Sequence, residues 1–152
     1  MTDTTNTGPI RPHGAPPAEL AVLTPDSWTE PFWVAAAQHR LVVPQCRRCA
    51  TFRMPPSPFC YVCQAQDIDW TEQTGDGRVY SYTIIHHAVV PLMRDALPYV
   101  VAVVELPDAG GVRIVSNLVD MEPAEVEVGM PVRLVWDDVA EGVAVPRFTS
   151  AR

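Results

Sequence analysis

Four cysteines fall within eighteen consecutive residues, CRRCATFRMPPSPFCYVC, and the 152-residue chain has no others. They form two Cys-x-x-Cys pairs, Cys46 with Cys49 and Cys60 with Cys63, separated by ten residues. Each pair can place two sulfurs on one side of a knuckle, and a tetrahedral ion needs two such knuckles facing each other. The intervening residues suit the hairpin of a zinc ribbon. Four thiolates fill every coordination position and leave none for water or substrate. A site of this kind is expected to hold a shape rather than perform chemistry.

Other uses of the same cysteines make different demands. Disulfides require an oxidising compartment, and the N-terminal stretch MTDTTNTGPIRPHGAPPAEL has neither the basic start nor the apolar middle of a secretory signal. No apolar run reaches the ~18 residues of a membrane-crossing helix, so a cytoplasmic protein is the expectation. A thioredoxin-type pair belongs at a helix start after a strand, whereas two pairs occur here and the first follows VVPQ. A rubredoxin-type iron site has the same four-sulfur geometry. Spacing leaves iron, zinc and a metal-free ribbon open.

Charge is unevenly placed. The formal net charge is -7 and all 11 basic residues are arginines. Between Pro31 and Gln66 there is no acid, while Arg40, Arg47, Arg48 and Arg53 fall there; from Asp67 onward fourteen acids face six arginines. Non-specific nucleic-acid binding depends on neutralising many phosphates, which so acidic a C-terminal half opposes. The arginines beside the cysteines can still hold one anionic group.

The chain divides into four stretches by texture. Residues 1–18 are rich in Thr, Pro, Gly and Ala and predict a flexible tail. Residues 19–40 carry a helical segment, with Ser27 or Thr29 as cap, Pro31 in the first turn, and Phe32, Ala35, Ala36 and His39 along one face of a helix over 29–39. Residues 41–70 hold the ribbon and a polar connector. Residues 71–152 are rich in β-branched and aromatic runs, with strands expected near 78–88, 99–106, 112–119, 131–137 and 143–148. Asp108, Gly110 and Gly111 mark a hairpin, and DMEPAEVEVGM has room for one helical turn. The expected fold is mainly β: a helix, a rubredoxin-like ribbon, then a five-stranded Greek-key barrel of the OB type.

Other constellations carry less. His86 and His87 are neighbours in an expected strand and would point to opposite faces, one in the barrel wall and one outside. Ser81, those histidines and Asp137-Asp138 supply triad residue types without a nucleophile elbow. Asp137, Asp138 and Glu141 form an acidic cluster beside Gly142, which suits a solvated turn better than a cation site. Tyr80, Tyr82 and Tyr99 are base-stacking types on barrel strands, where packing is the commoner use.

The ordered series PFWVAAAQHRLVVPQCRRCATFRMPPSPFCYVC, GRVYSYTIIHH, PYVVAVVEL, VSNLV, VGMPVRLVW and VPRF closely resembles the acyl-CoA-associated zinc-ribbon and OB-fold proteins, filed as domain of unknown function 35. The resemblance runs from about Thr29 to Phe148. It implies a non-catalytic subunit of a thiolase-superfamily acyltransferase or of an aldolase that cleaves steroid side chains, in a hetero-oligomer whose partner supplies the chemistry. It also implies structural zinc at the four cysteines and contact with the coenzyme A of a partner-bound substrate. Arg47, Arg48 and Arg53 are the candidate clamp for CoA phosphates, with Phe52, Phe59 or Tyr61 against the adenine. A nucleic-acid-binding module and a small iron electron carrier are the alternatives.

Overall fold

The computed structural model describes residues 11–152. Helix α1, Glu30–Ala36, begins with Pro31 in its first turn, where a missing N–H leaves nothing unpaired. The capping differs from expectation, because neither Ser27 nor the Thr29 side chain bonds a helix N–H. Asp26 does the work one step earlier: its carboxylate accepts from the N–H groups of Trp28 and Thr29, and the Thr29 hydroxyl accepts in return from the Asp26 N–H. The hydroxyl and N–H of Thr29 hold the Asp26 carboxyl below its ordinary range. Phe32, Ala35 and Ala36 are buried as the periodicity requires. His39 is not, since the chain turns left-handed there (φ 57°) and carries the ring away from that face.

Strand β1, Leu41–Cys46, pairs antiparallel with β2, Ile68–Gln73, in a two-stranded sheet running from Leu41 opposite Gln73 to Cys46 opposite Ile68. Part of the expected polar connector is therefore a strand, and the expected boundary at residue 70 falls inside it. Alternation explains the strand: Ile68 and Trp70 are half-buried while Asp69 is exposed.

Five further strands, β3 (Asp76–Ile85), β4 (Tyr99–Leu106), β5 (Val112–Leu118), β6 (Pro131–Ala140) and β7 (Val143–Ser150), close in the order β3-β4-β5-β7-β6. Pairing is antiparallel except between β5 and β7, which meet in parallel at Leu118 and Phe148. The chain is thus mainly β, and its barrel has the OB arrangement. A 3-10 turn at Pro107–Ala109 and Gly110 (φ 66°) make the β4–β5 hairpin, and a second 3-10 turn, Pro123–Glu125, lies in the stretch that follows β5. Val79, Val104, Leu118, Val132 and Phe148 of the barrel share one apolar core with Phe32 of α1 and with Leu41 and Val43 of β1. That common core fixes the ribbon's base against the barrel.

Closure depends on a close approach at Gly77, which pairs with Val132 where β6 meets β3. A Cβ there would lie 2.5 Å from Val104 Cγ1 and 3.0 Å from the Glu105 carbonyl oxygen. Gly77→Ala is expected to lower stability by about 1–3 kcal/mol, the usual cost of overpacking a tight interior, measured by urea unfolding.

Two further expectations are corrected. β3 ends at Ile85, so His86 and His87 lie in the exposed segment beyond it and neither enters the barrel wall. Of the expected flexible tail, residues 1–10 lie outside the described residues, and residues 11–18 are fastened to the barrel. Arg11 donates twice to the Asp137 carboxylate, at 2.9 and 2.7 Å, and the His13 N–H and carbonyl bond the side chain and N–H of Asp120. A proline-rich segment with little apolar surface is held here by charge, which composition does not register.

Candidate metal centre and its surroundings

Two short turns with the same backbone pattern carry the cysteines. In the first, the Ala50 N–H donates to the Cys46 carbonyl and the Cys46 N–H to the Thr51 carbonyl. In the second, the Gln64 N–H donates to the Cys60 carbonyl and the Cys60 N–H to the Ala65 carbonyl. The residue after each second cysteine is left-handed, Ala50 at φ 59° and Gln64 at φ 62°. These knuckles bring together all four expected ligands, with every sulfur within 4.8 Å of the others.

Cys46 Sγ lies 3.6 Å from Cys63 Sγ, and Cys49 Sγ lies 3.5 Å from Cys60 Sγ. These spacings are far beyond a disulfide bond of about 2.05 Å, and the cysteines are free. Thiolates bound at about 2.3 Å around a tetrahedral ion stand about 3.8 Å apart, so the donor set fits one such metal. The electrostatics agree. The Thr51 hydroxyl, 3.1 Å from Cys49 Sγ, and the Thr51 N–H draw the Cys49 thiol down to about 6. The N–H groups of Cys63 and Val62 lower Cys60. Although the Ala65 N–H favours its thiolate, burial and the neighbouring sulfurs push Cys63 up to about 11. Four sulfurs this close do not all ionise without a cation among them. A bound ion would saturate its coordination on Cys46, Cys49, Cys60 and Cys63 and supply rigidity.

The six residues expected to contact a cofactor do not form one cluster. Arg47, Arg48 and Phe59 line one open depression together with Gln64, Ala65, Gln66 and Asp67. Phe52 and Tyr61 line another, with Met54, Gly110, Gly111, Val112 and Arg113. Arg53 belongs to neither. Its side chain is 2% exposed, inside the ribbon, with Nη1 and Nη2 each 3.1 Å from a carbonyl, of Ser57 and Gln66 respectively. It cannot serve as a surface clamp for phosphate. The acid-free stretch is also less cationic in space than in sequence. β2 sets Glu72 beside Arg40 and Asp69 beside Arg47, at 2.8 and 2.7 Å.

The barrel surface departs from expectation as well. Asp137 is 0% exposed and holds both Arg11 and Arg147, while Arg147 donates to Asn117 at 2.6 Å. Burial lowers the pKa of Arg147, and Asp137 opposes that shift. Asp138 binds His39 Nε2 at 2.7 Å, and the His39 ring stacks on Trp136. Asp137 and Asp138 are thus engaged by cationic or imidazole side chains of the chain itself, and the solvated turn is confined to Glu141 and Gly142, which are exposed between β6 and β7. Tyr80 and Tyr82 are exposed rather than packed, yet the Arg113 guanidinium covers the Tyr80 ring at 3.5 Å and occupies one stacking face. No helix among the described residues is long and apolar enough to cross a membrane.

Comparison with known proteins gives the same two parts in the same order. Residues 33–69 match the model of the ChsH2 rubredoxin-like zinc ribbon domain, and residues 70–137 that of the ChsH2 C-terminal OB-fold domain. A probable enoyl-CoA hydratase alpha subunit of Thermomonospora curvata is 45% identical over 79% of this chain and 37% of its own length. The 3-oxo-4,17-pregnadiene-20-carboxyl-CoA hydratase alpha subunit of Mycobacterium tuberculosis is 31% identical over 85% of this chain and 42% of its own length. The chain thus spans less than half of either. A DUF35 domain-containing scaffold protein of Methanocaldococcus jannaschii is 32% identical over 66% of this chain and 70% of its own length. Among solved structures, a chain of the Ltp2-ChsH2(DUF35) aldolase superposes with a TM-score of 0.78 at 40% identity, over 86% of this chain and all of that one. On these matches the chain belongs to the ChsH2-type, or DUF35, family of zinc-ribbon and OB-fold proteins.

Proposed function

We propose that this protein is a non-catalytic accessory subunit of a thiolase-like acyl-CoA aldolase or acyltransferase complex, one that acts in steroid side-chain degradation. The observation carrying this reading is the correspondence, over 86% of this chain, with a whole chain of the Ltp2-ChsH2(DUF35) aldolase, together with a four-cysteine cluster whose coordination a bound ion would saturate. The Mycobacterium tuberculosis relative, named for a pregnadiene carboxyl-CoA, favours a steroidal acyl-CoA over a plain fatty acyl-CoA. The ion is zinc, in keeping with the ribbon model, and its role is structural.

Co-expression with a thiolase-like partner, followed by co-purification and metal analysis, tests the reading. The expected result is a stable hetero-oligomer with one zinc per copy of this chain and a partner that loses activity when expressed alone. Failure to associate, with a fully active partner, overturns it. Iron in place of zinc, with a visible thiolate-to-iron band, would favour the electron carrier.

Within this reading, the depression bearing Arg48 and Phe59 is the surface turned toward the CoA portion of the substrate. Arg47 is engaged by Asp69, which leaves Arg48 as the better phosphate donor among the two. Arg48→Ala is expected to weaken acyl-CoA binding by the assembled complex about tenfold, the loss of one charged hydrogen bond. Unchanged affinity, read by calorimetry, would remove the CoA contact without touching the subunit assignment.

A further inference from the structure

Arg53 is the largest side chain that the fold buries completely, and it is a cation. A guanidinium does not shed its proton inside a protein, so burial cannot be relieved by neutralisation. Burying such a charge without a partner is costly. The ion pairs among the described residues include Arg11, Arg40, Arg47, Arg113, Arg147 and Arg152, but not Arg53. Its two terminal nitrogens meet neutral carbonyls, and its Nε is buried with no acceptor. A fixed positive charge therefore sits inside the ribbon without a carboxylate to balance it.

With a divalent metal bound, the cysteine cluster of the same ribbon would carry charge of the opposite sign. Four thiolates around a divalent ion carry +2 - 4 = -2, and Cys46 and Cys60 are as deeply buried as Arg53. Arg53 also touches every strand of chain that leads to the cluster. Its N–H donates to Pro44 O, two residues before Cys46; Nη1 reaches Ser57 O, three before Cys60; Nη2 reaches Gln66 O, three after Cys63. We propose that Arg53 is the internal counter-cation of the metal–tetrathiolate centre, held beside its two knuckles by these contacts. This rests on the metal reading given above. The charge offsets the net negative charge of the metal–tetrathiolate group and keeps its sulfurs deprotonated, and so favours retention of the metal.

The test compares Arg53→Met, which keeps bulk and loses charge, with Arg53→Lys, which keeps charge and loses the fork. Metal release to excess chelator and the spectrum of the cobalt-substituted chain are measured for both. R53M is expected to lose about 10–100-fold in metal affinity, with the thiolate-to-cobalt band moved to lower energy. R53K stays near the wild type in both. Equal losses in R53K and R53M, or a cobalt band unmoved in R53M, would reduce Arg53 to packing and overturn the proposal. Should R53M not fold, Arg53→Gln replaces it. Failure of both neutral variants beside an intact R53K is the extreme form of the expected result, and failure of R53K alongside them overturns it. A wild-type chain that takes up no metal overturns the centre itself, an outcome visible before any variant is made.

Discussion

Replacing Cys60 with Ser, or stripping the metal with a chelator, is expected to unfold the ribbon of this protein. Binding of structural zinc contributes an apparent ~10–16 kcal/mol in ribbon-sized modules, as much as the whole net stability of an ordinary domain, about 5–15 kcal/mol. The knuckles offer little to replace it. Each is held by two backbone bonds and contains a left-handed residue that is not glycine. Hydrogen exchange should report the loss, with amides of residues 46–66 becoming unprotected while those of β4 and β5 remain slow. The barrel is expected to soften rather than melt, since Leu41 and Val43 belong to its core and lose their anchorage. Because metal binds thiolates and must displace the proton held on Cys63, its affinity falls as pH falls. Unchanged protection after complete removal of metal would mean that the ribbon folds on packing alone.

Asp137→Ala is expected to be the most damaging single change in the barrel. It leaves Arg147 buried without its carboxylate and frees Arg11 in the same step. Breaking a buried pair from one side costs about 3–5 kcal/mol, which for a chain of this size lowers the melting temperature by roughly 6–20 °C. Arg11→Ala should cost less, because that side chain is 25% exposed and the Asp137–Arg147–Asn117 bonds survive its loss. Urea unfolding of both variants separates the contributions. Equal losses would locate the whole effect in the N-terminal strap.

What the sequence displayed and what it hid follow one physical division. Barrel strands were legible because Val, Ile and Tyr cluster in them and Gly, Asp and Pro cluster between them, which are local signals. The four ligands were legible because spacing alone dictates a knuckle. Strand β2 was hidden by its acids, although the alternation of Ile68 and Trp70 with Asp69 was the sign to read. Arg53 was hidden because an arginine in a loop looks like surface, and only the folded ribbon shows it enclosed. The Asp137 network was hidden for a further reason. Its members stand 10, 30 and 126 positions apart, and no local pattern records that they meet.

The two knuckles share a backbone but not a surface. The first presents Arg47 and Arg48 to solvent, and the second presents Tyr61 and Val62, which are 71% and 60% exposed. A metal ion held by both knuckles would join a charged tip to an oily one across a few ångströms of chain. Such a head has a polarity, as a plug with unlike pins has. A flat apolar patch can accept one end and must leave the other in water, so a partner that grips the ribbon fixes the rotation of the whole barrel behind it.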